Sequence, residues 1–158
     1  MKVKDIMTAS VITVGPDYTI KETMLLFSEK KISGAPVVDK NNKMVGIISE
    51  TDILKVIKTR NRELKMVYPS IPIMGISFVE VEKQKEVFQA LNEVSSIKIS
   101  EIMSTRVLTV HASDSMEDVI PLMVKEKINR LPVVDRDGSL VGIVTRGDIL
   151  KGLYEKKK

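Results

Sequence analysis

The chain has no cysteine and no tryptophan, a single histidine, and only three tyrosines and three phenylalanines among 158 residues. Without cysteine, disulfides, thiolate nucleophiles and cysteine-ligated zinc are excluded together. His111, alone, cannot anchor a metal cluster and reads as incidental. With aromatics at 4% the core must be assembled from Ile, Val, Leu and Met. Long apolar runs are missing too. None approaches the roughly 18–20 residues that cross a bilayer, and Met1-Lys2-Val3-Lys4-Asp5 leads into no signal-peptide pattern. The expectation is a soluble, cytoplasmic protein with no membrane partner. There is also no P-loop, no Gly-rich dinucleotide turn and no readable nucleophile–base pair, which argues against an enzyme.

What is present is balanced. Hydrophobic residues at 43% and charged residues at 29% are ordinary for a globular domain. The net charge is +4, part of it in the tail Lys156-Lys157-Lys158. This permits an anionic partner without demanding one.

The organising feature is an internal repeat. The stretch Val45-Gly46-Ile47-Ile48-Ser49-Glu50-Thr51-Asp52-Ile53-Leu54-Lys55 returns as Val141-Gly142-Ile143-Val144-Thr145-Arg146-Gly147-Asp148-Ile149-Leu150-Lys151, 96 residues on. That offset aligns Lys2/Lys98 through Lys55/Lys151 without a gap, with 20 identities in 54 pairs. This is a duplication, and the fold must explain it. Residues 1–60 form the first copy, 98–158 the second with its basic tail, and 61–97 have no counterpart.

Each copy predicts the order β-α-β-β-α. Val11 to Val14 is a short β-rich run. Thr19-Ile20-Lys21-Glu22 has the form of a capping box, and Ile20, Met24 and Phe27 follow on one helical face. Ala35 to Asp39 reads as a buried strand with proline near its first residue. Lys40 to Lys43, matched by Arg136 to Ser139, is a polar turn; Met44 to Ile48 is the return strand, and a second helix begins near Ser49. Pro121 falls about two turns into the first helix of the second copy, which predicts a kink or a late start. In the insert, Tyr68 to Phe78 is apolar but broken by Pro and Gly. Glu80 to Val94 predicts a helix with Val87, Phe88, Leu91 and Val94 on one face. The insert is a connector, or else a lid or dimer contact.

Three motifs, each present twice, carry a family resemblance. They are Ile6-Met7-Thr8, Ile32-Ser33-Gly34-Ala35-Pro36-Val37-Val38-Asp39 and Gly46-Ile47-Ile48-Ser49-Glu50-Thr51-Asp52. Their second copies are Ile102-Met103-Ser104, Ile128-Asn129-Arg130-Leu131-Pro132-Val133-Val134-Asp135 and Gly142-Ile143-Val144-Thr145-Arg146-Gly147-Asp148. The chain resembles a tandem pair of cystathionine-β-synthase (CBS) domains, a Bateman module, over about three-quarters of its length. The resemblance implies an α+β sandwich of two β-α-β-β-α repeats packed sheet to sheet about a pseudo-twofold axis. It implies two clefts for adenosine-containing ligands such as AMP, ADP, ATP or S-adenosylmethionine, a disc-like homodimer, and no catalysis or required cofactor.

The resemblance also assigns residues. One cleft would combine Thr8, Ile12, Ile32, Ser33, Ala35 and Pro36 with Ile143, Thr145 and Asp148. The other would combine Ser104, Leu108, Ile128, Asn129, Leu131 and Pro132 with Ile47, Ser49 and Asp52. In each, the Asp holds ribose and the Ser or Thr lies near ribose or phosphate. By itself, Ser/Thr-x-x-Asp is an ordinary helix cap, and the two roles can coexist, because a helix N-terminus also offers free amides to phosphate.

The copies differ where charge matters. Arg130 stands for Gly34, Arg146 for Glu50 and Gly147 for Thr51. Guanidinium groups suit phosphate whereas Glu50 repels it, so the Asp148 cleft, with Arg130 and Arg146, is expected to take the anionic nucleotide. The function expected is a regulatory module that senses adenine nucleotides and acts through an unidentified effector protein. The alternative is a nucleic-acid-binding accessory protein with a basic surface, although helix-turn-helix spacing, zinc fingers and aromatic-basic runs are absent. A steep salt dependence of binding to random duplex would favour that alternative.

Overall fold

The computed structural model describes residues 1–60 and 81–155. The apolar segment Tyr68 to Phe78 of the insert and the Lys156–Lys158 tail lie outside the described residues. In chain order the elements are α1 (Ile20–Lys30), β1 (Gly34–Val38), β2 (Met44–Ser49), α2 (Glu50–Arg60), α3 (Val81–Val94), α4 (Met116–Lys125), β3 (Arg130–Val134), β4 (Leu140–Thr145) and α5 (Arg146–Glu155). Short 3-10 turns sit at Val3–Asp5 and Ile99–Glu101. The class is mixed helix and strand, with two two-stranded sheets, β1–β2 and β3–β4.

Local chemistry sets the helix ends. The Glu22 amide donates to Thr19 Oγ1 at 3.2 Å, and Glu22 Oε2 accepts the Thr19 amide at 2.7 Å. These backbone and hydroxyl bonds from Thr19 hold the Glu22 carboxyl below its ordinary pKa. The stability they add is present above the unfolded value and is lost as pH falls through the folded one. At the other end, Lys31 and its equivalent Lys127 both adopt the left-handed conformation, with φ 54° and 53°. Asn42 and Gly138, also 96 apart, share φ of 61° and 78° in the hairpin tips. The duplication thus reaches down to individual backbone torsions.

Within those tips Asp39 Oδ1 accepts the amides of Asn41 and Lys43, and Asp135 Oδ1 those of Asp137 and Ser139. The two tips also bond to each other. Lys43 Nζ donates to Asp137 O at 2.6 Å and Ser139 Oγ at 2.8 Å, and Asn42 Nδ2 donates to Leu140 O at 2.9 Å.

Three expectations are corrected. Val11 to Val14 is not a strand: only Val14 pairs, in a single parallel bridge with Val37, as Val110 does with Val133. The cause is proline. The Val14 amide donates to Pro36 O and the Val110 amide to Pro132 O. The next rung would need an N–H from that same proline, which has none. Those donors point away from the hairpin partner, so Pro132 still sits opposite Ile143 within β3–β4. Second, the late start that Pro121 allowed does not occur: α4 begins at the position equivalent to the start of α1 and runs through Pro121. Pro121 and Glu117, whose carbonyl loses its partner, are both exposed, so water can satisfy that carbonyl. Third, among the described residues of α3 Val94 is buried as expected, but Phe88 is 58% exposed and Ala90 is buried instead.

The compact units are not the sequence repeats. One comprises Met1–Thr13, Val38–Val45 and Arg106–Lys158, and the other Val14–Val37 and Gly46–Thr105. The first unit's core gathers Val110, Met116, Val119, Met123, Leu131, Val133, Val144 and Ile149 around Val3 from the opposite end of the chain. The Val3 and Lys4 amides bond to the carbonyls of Asp114 and Ala112, and the Met116 amide bonds to Met1 O. The second unit mirrors this. Ile99, also fully buried, donates its amide to Tyr18 O, and the Ile20 amide donates to Ile97 O. Burying a Val or Ile side chain is worth about 1.5–3 kcal/mol, so each leading segment is a structural part of the other repeat's body.

One core position is imperfect. Thr23 in α1 is fully buried and its Oγ1 has no hydrogen-bond partner. The equivalent residue in α4 is Val119, which is buried without a polar atom. A buried hydroxyl left unpaired costs about 1–3 kcal/mol. Thr23→Val is therefore expected to stabilise the protein by about 1 kcal/mol, read as a higher urea midpoint at unchanged slope.

Candidate functional site

β4 runs directly into α5, and β2 into α2, so Thr145 and Ser49 stand where a strand becomes a helix. Thr145 donates its amide and its Oγ1–H to Asp148 Oδ2, at 2.8 and 2.7 Å, and the Asp148 amide returns to Thr145 Oγ1 at 3.3 Å. Ser49 makes the same pair of bonds to Asp52 Oδ2, at 2.9 and 3.0 Å. Thr145 thus caps α5 with its hydroxyl, and in both motifs the Asp carboxylate reaches back to the amide before the helix. Every bond to either carboxylate falls on Oδ2. Among the described residues no donor reaches Oδ1 of either half-buried carboxylate, which leaves one oriented acceptor oxygen beside a helix N-terminus, where negative charge is favoured.

A second strand edge lies two residues before each cap. Thr8 and Ile143 exchange main-chain hydrogen bonds, both 2.9 Å, and Ser104 and Ile47 do the same at 3.0 and 2.9 Å. This close approach requires glycine. A Cβ on Gly142 would stand 2.7 Å from Met7 Sδ and 3.3 Å from Thr8 O; one on Gly46 would stand 2.5 Å from Met103 Sδ and 3.0 Å from Ser104 O. Sequence reasoning did not single out these two glycines as site residues. Their signal was available, since Val-Gly-Ile recurs intact at the same offset.

The segments preceding β1 and β3 close against the caps. The Arg146 amide donates to Asn129 O at 3.2 Å and the Glu50 amide to Ser33 O at 3.0 Å. Arg146 adds a side-chain bond, from Nε to Ile128 O at 3.2 Å. Its α-helical neighbour Gly147 is exposed, and a Cβ there would meet only Thr145 Oγ1, at 3.5 Å.

The residues of the first expected set divide between the units. Thr8, Ile12, Arg130, Ile143, Thr145, Arg146 and Asp148 belong to the first unit, and Ile32, Ser33, Ala35 and Pro36 to the second. Of the other set, Ile47, Ser49, Asp52 and Ser104 belong to the second unit, and Leu108, Ile128, Asn129, Leu131 and Pro132 to the first. Ala35, Pro36, Leu131 and Pro132 are buried, so their side chains serve the core. The two proline carbonyls already accept the amides of Val14 and Val110. Thr8, Ser33, Ser104, Asn129 and Arg146 are exposed polar groups. His111 has a structural position: its amide bonds to Asp114 Oδ2 at 2.8 Å and its Nδ1 pairs with Val134 O at 3.0 Å. Among the described residues no three His, Asp or Glu are grouped to hold a metal ion, and no helix is long and apolar enough to cross a membrane.

This arrangement, written twice, meets its match in known proteins. The family model of the CBS domain matches residues 3–59 and again 99–155. The chain belongs to the CBS domain family, as a tandem pair. It is 40% identical over 154 residues to the uncharacterized protein MJ1426 of Methanocaldococcus jannaschii, covering 97% of this chain and 91% of that one. Identity to the chloroplastic CBS domain-containing protein CBSX2 of Arabidopsis thaliana is 31%, over 99% of this chain and 65% of the plant protein. Among solved structures, CBSX2 in complex with AMP superposes with a TM-score of 0.73 at 28% identity, covering 99% of this chain and 98% of that one. The CBS domain pair of MJ0100, in complex with 5-methylthioadenosine and S-adenosyl-L-methionine, gives 0.71 at 27% identity, with coverage of 97% and 99%.

The glycine crossing can be tested directly. Gly46→Ala is expected to destabilise the protein by about 1–3 kcal/mol, because the new methyl must displace both Met103 and the Ser104 backbone. Gly142→Ala should cost less, since the backbone oxygen facing it, Thr8 O, stands at 3.3 Å against 3.0 Å for Ser104 O at Gly46, and Met7 Sδ is the flexible end of a side chain. Thermal or urea melts of the two variants, compared side by side, check the order.

Proposed function

We propose that this chain is a regulatory module that binds an adenosine-containing ligand at its Ser/Thr-x-x-Asp caps and acts through a partner protein rather than by catalysis. The observation that carries the reading is the geometry of the caps. Two bonds to Oδ2 hold each carboxylate still while Oδ1 remains available to a ribose hydroxyl, beside helix amides that suit a phosphate. Relatives of the same architecture are complexes with AMP and with S-adenosyl-L-methionine, which supports an adenosine moiety as the shared element.

The two caps are unequal. In the first unit Asp148 is accompanied by Arg146, Gly147 and Arg130. In the second, Asp52 is accompanied by Glu50, Thr51 and Gly34. The Asp148 group therefore takes the anionic nucleotide. The Asp52 group, with Glu50 at the helix start, binds it weakly or takes an uncharged or cationic adenosyl compound. In the first unit Thr145 and Asp148 hold the ribose, Thr8 lines the approach, and Arg130 and Arg146 supply positive charge; in the second, Ser104 stands beside Ser49 and Asp52 as Thr8 does beside Thr145 and Asp148.

A homodimer is part of this reading. On α5, Leu150 and Tyr154 are each 70% exposed and Leu153 is 48% exposed, and a second copy would cover such a stripe.

Calorimetric titration with AMP tests the asymmetry. Asp148→Ala is expected to weaken AMP at least tenfold, the worth of charge-assisted hydrogen bonds, while Asp52→Ala changes AMP affinity little. Equal losses from the two variants would reject the assignment. A thermal-shift screen with AMP, ADP, ATP, S-adenosylmethionine and methylthioadenosine identifies the preferred ligand. At a hundredfold excess over its dissociation constant that ligand adds about 2.7 kcal/mol to stability; no shift from any of them would sink the sensor reading.

A further inference from the structure

Arg146 is the first residue of α5 and grips the segment before β3 twice. Its amide bonds to Asn129 O, and its Nε–H bonds to Ile128 O. The second unit repeats only the main-chain half of this grip, Glu50 amide to Ser33 O. Glu50 carries no side-chain N–H, so the second half has no counterpart there. The bond from Nε also constrains the planar guanidinium, whose remaining N–H groups are fixed in the same plane. The segment it holds, Ile128-Asn129-Arg130, lies beside the Thr145–Asp148 cap and contains Arg130.

We propose that Arg146 is a positioning residue: a latch that fixes the Ile128–Arg130 segment against the Thr145–Asp148 cap and so pre-organises binding in the first unit. The inference rests on the ligand reading above and differs from it in what Arg146 does. A direct phosphate contact would affect only phosphorylated ligands. A latch affects every ligand of that group, because it acts on the protein before binding. Lysine keeps the charge but lacks the fixed fork that seats Nε–H on a carbonyl, so Arg146→Lys separates the two roles. Glu50→Arg is the converse variant, supplying the second unit with the missing donor.

The test combines amide hydrogen exchange of the ligand-free protein with titrations of AMP and of adenosine. In Arg146→Lys, exchange over residues 128–131 should rise about two- to tenfold, the net worth of one hydrogen bond. In Glu50→Arg, exchange over 32–35 should fall. AMP and adenosine should lose affinity by the same factor in Arg146→Lys, leaving their ratio unchanged. Unchanged exchange at 128–131 overturns the latch. Faster exchange with unchanged affinities for both ligands overturns the positioning role. A loss for AMP alone assigns Arg146 to the phosphate and overturns the proposal. If the unaltered protein binds neither compound, the ligand reading and the positioning role fail together, while the exchange data still decide whether the latch exists.

Discussion

The structure depends on two main-chain crossings, Thr8 with Ile143 and Ser104 with Ile47. Each lays the leading segment of one sequence repeat along a strand of the other repeat, with only a glycine between Met7 or Met103 and the strand. Because Val3 and Ile99 are fully buried in the bodies they cross to, neither repeat has a finished core on its own. The hydrophobic surface they cover, not the few hydrogen bonds, supplies most of the stabilisation. The bonds supply register: an antiparallel bridge at Thr8 admits one alignment, and a slip of one residue would turn Met7 out of the core. The same register places Thr8 and Ser104 opposite the strand residues two before the caps, so the constraint that completes the core also positions the candidate site residues.

Capping and the proposed binding draw on the same carboxylates without competing for the same oxygen. A carboxylate has room for about four hydrogen bonds on two oxygens. Thr145 commits only Oδ2 of Asp148, and Ser49 only Oδ2 of Asp52. A side chain immobilised by the fold loses little further entropy when a ligand engages its other oxygen. This is why the ordinary reading of Ser/Thr-x-x-Asp as a helix cap and the functional reading do not exclude each other.

Much of this was legible from short-range signals. The Thr19–Glu22 capping box, the helix starts after Ser49 and Thr145, and the Asp39 and Asp135 turns are contacts over two to four residues, and sequence patterns report such contacts faithfully. The 96-residue offset exposed the duplication and hence the family. What stayed hidden involves distant partners. Val11 to Val14 has the composition of a strand, but whether it pairs depends on a proline twenty-two residues beyond Val14. Phe88 has the hydrophobicity of a core residue, yet Ala90 takes the buried place on α3, because which helical face is covered depends on what packs there. The exchange of leading segments was implied only by the resemblance, which groups Thr8 with Ile143 and Ser104 with Ile47; the residues alone do not show it, since Val3 and Ile99 carry the same label in either arrangement.

The positions where the copies disagree are as informative as those where they agree. Asp39/Asp135, Pro36/Pro132, Gly46/Gly142 and Asp52/Asp148 are identical, and each has a geometric duty: a turn, a ladder end, a close crossing, a cap. The left-handed positions show that geometry constrains chemistry only so far, since Asn42 and Gly138 meet the same torsion with different residues. Freed of backbone duty, Gly34/Arg130, Glu50/Arg146 and Thr51/Gly147 diverge, and they do so together around one cap. Replacing Glu50 by Arg146 changes local charge by two units, from −1 to +1, next to a helix N-terminus that already favours anions. Two caps built on one backbone plan thereby come to differ in local charge through a few side chains, with no change to the fold that holds them.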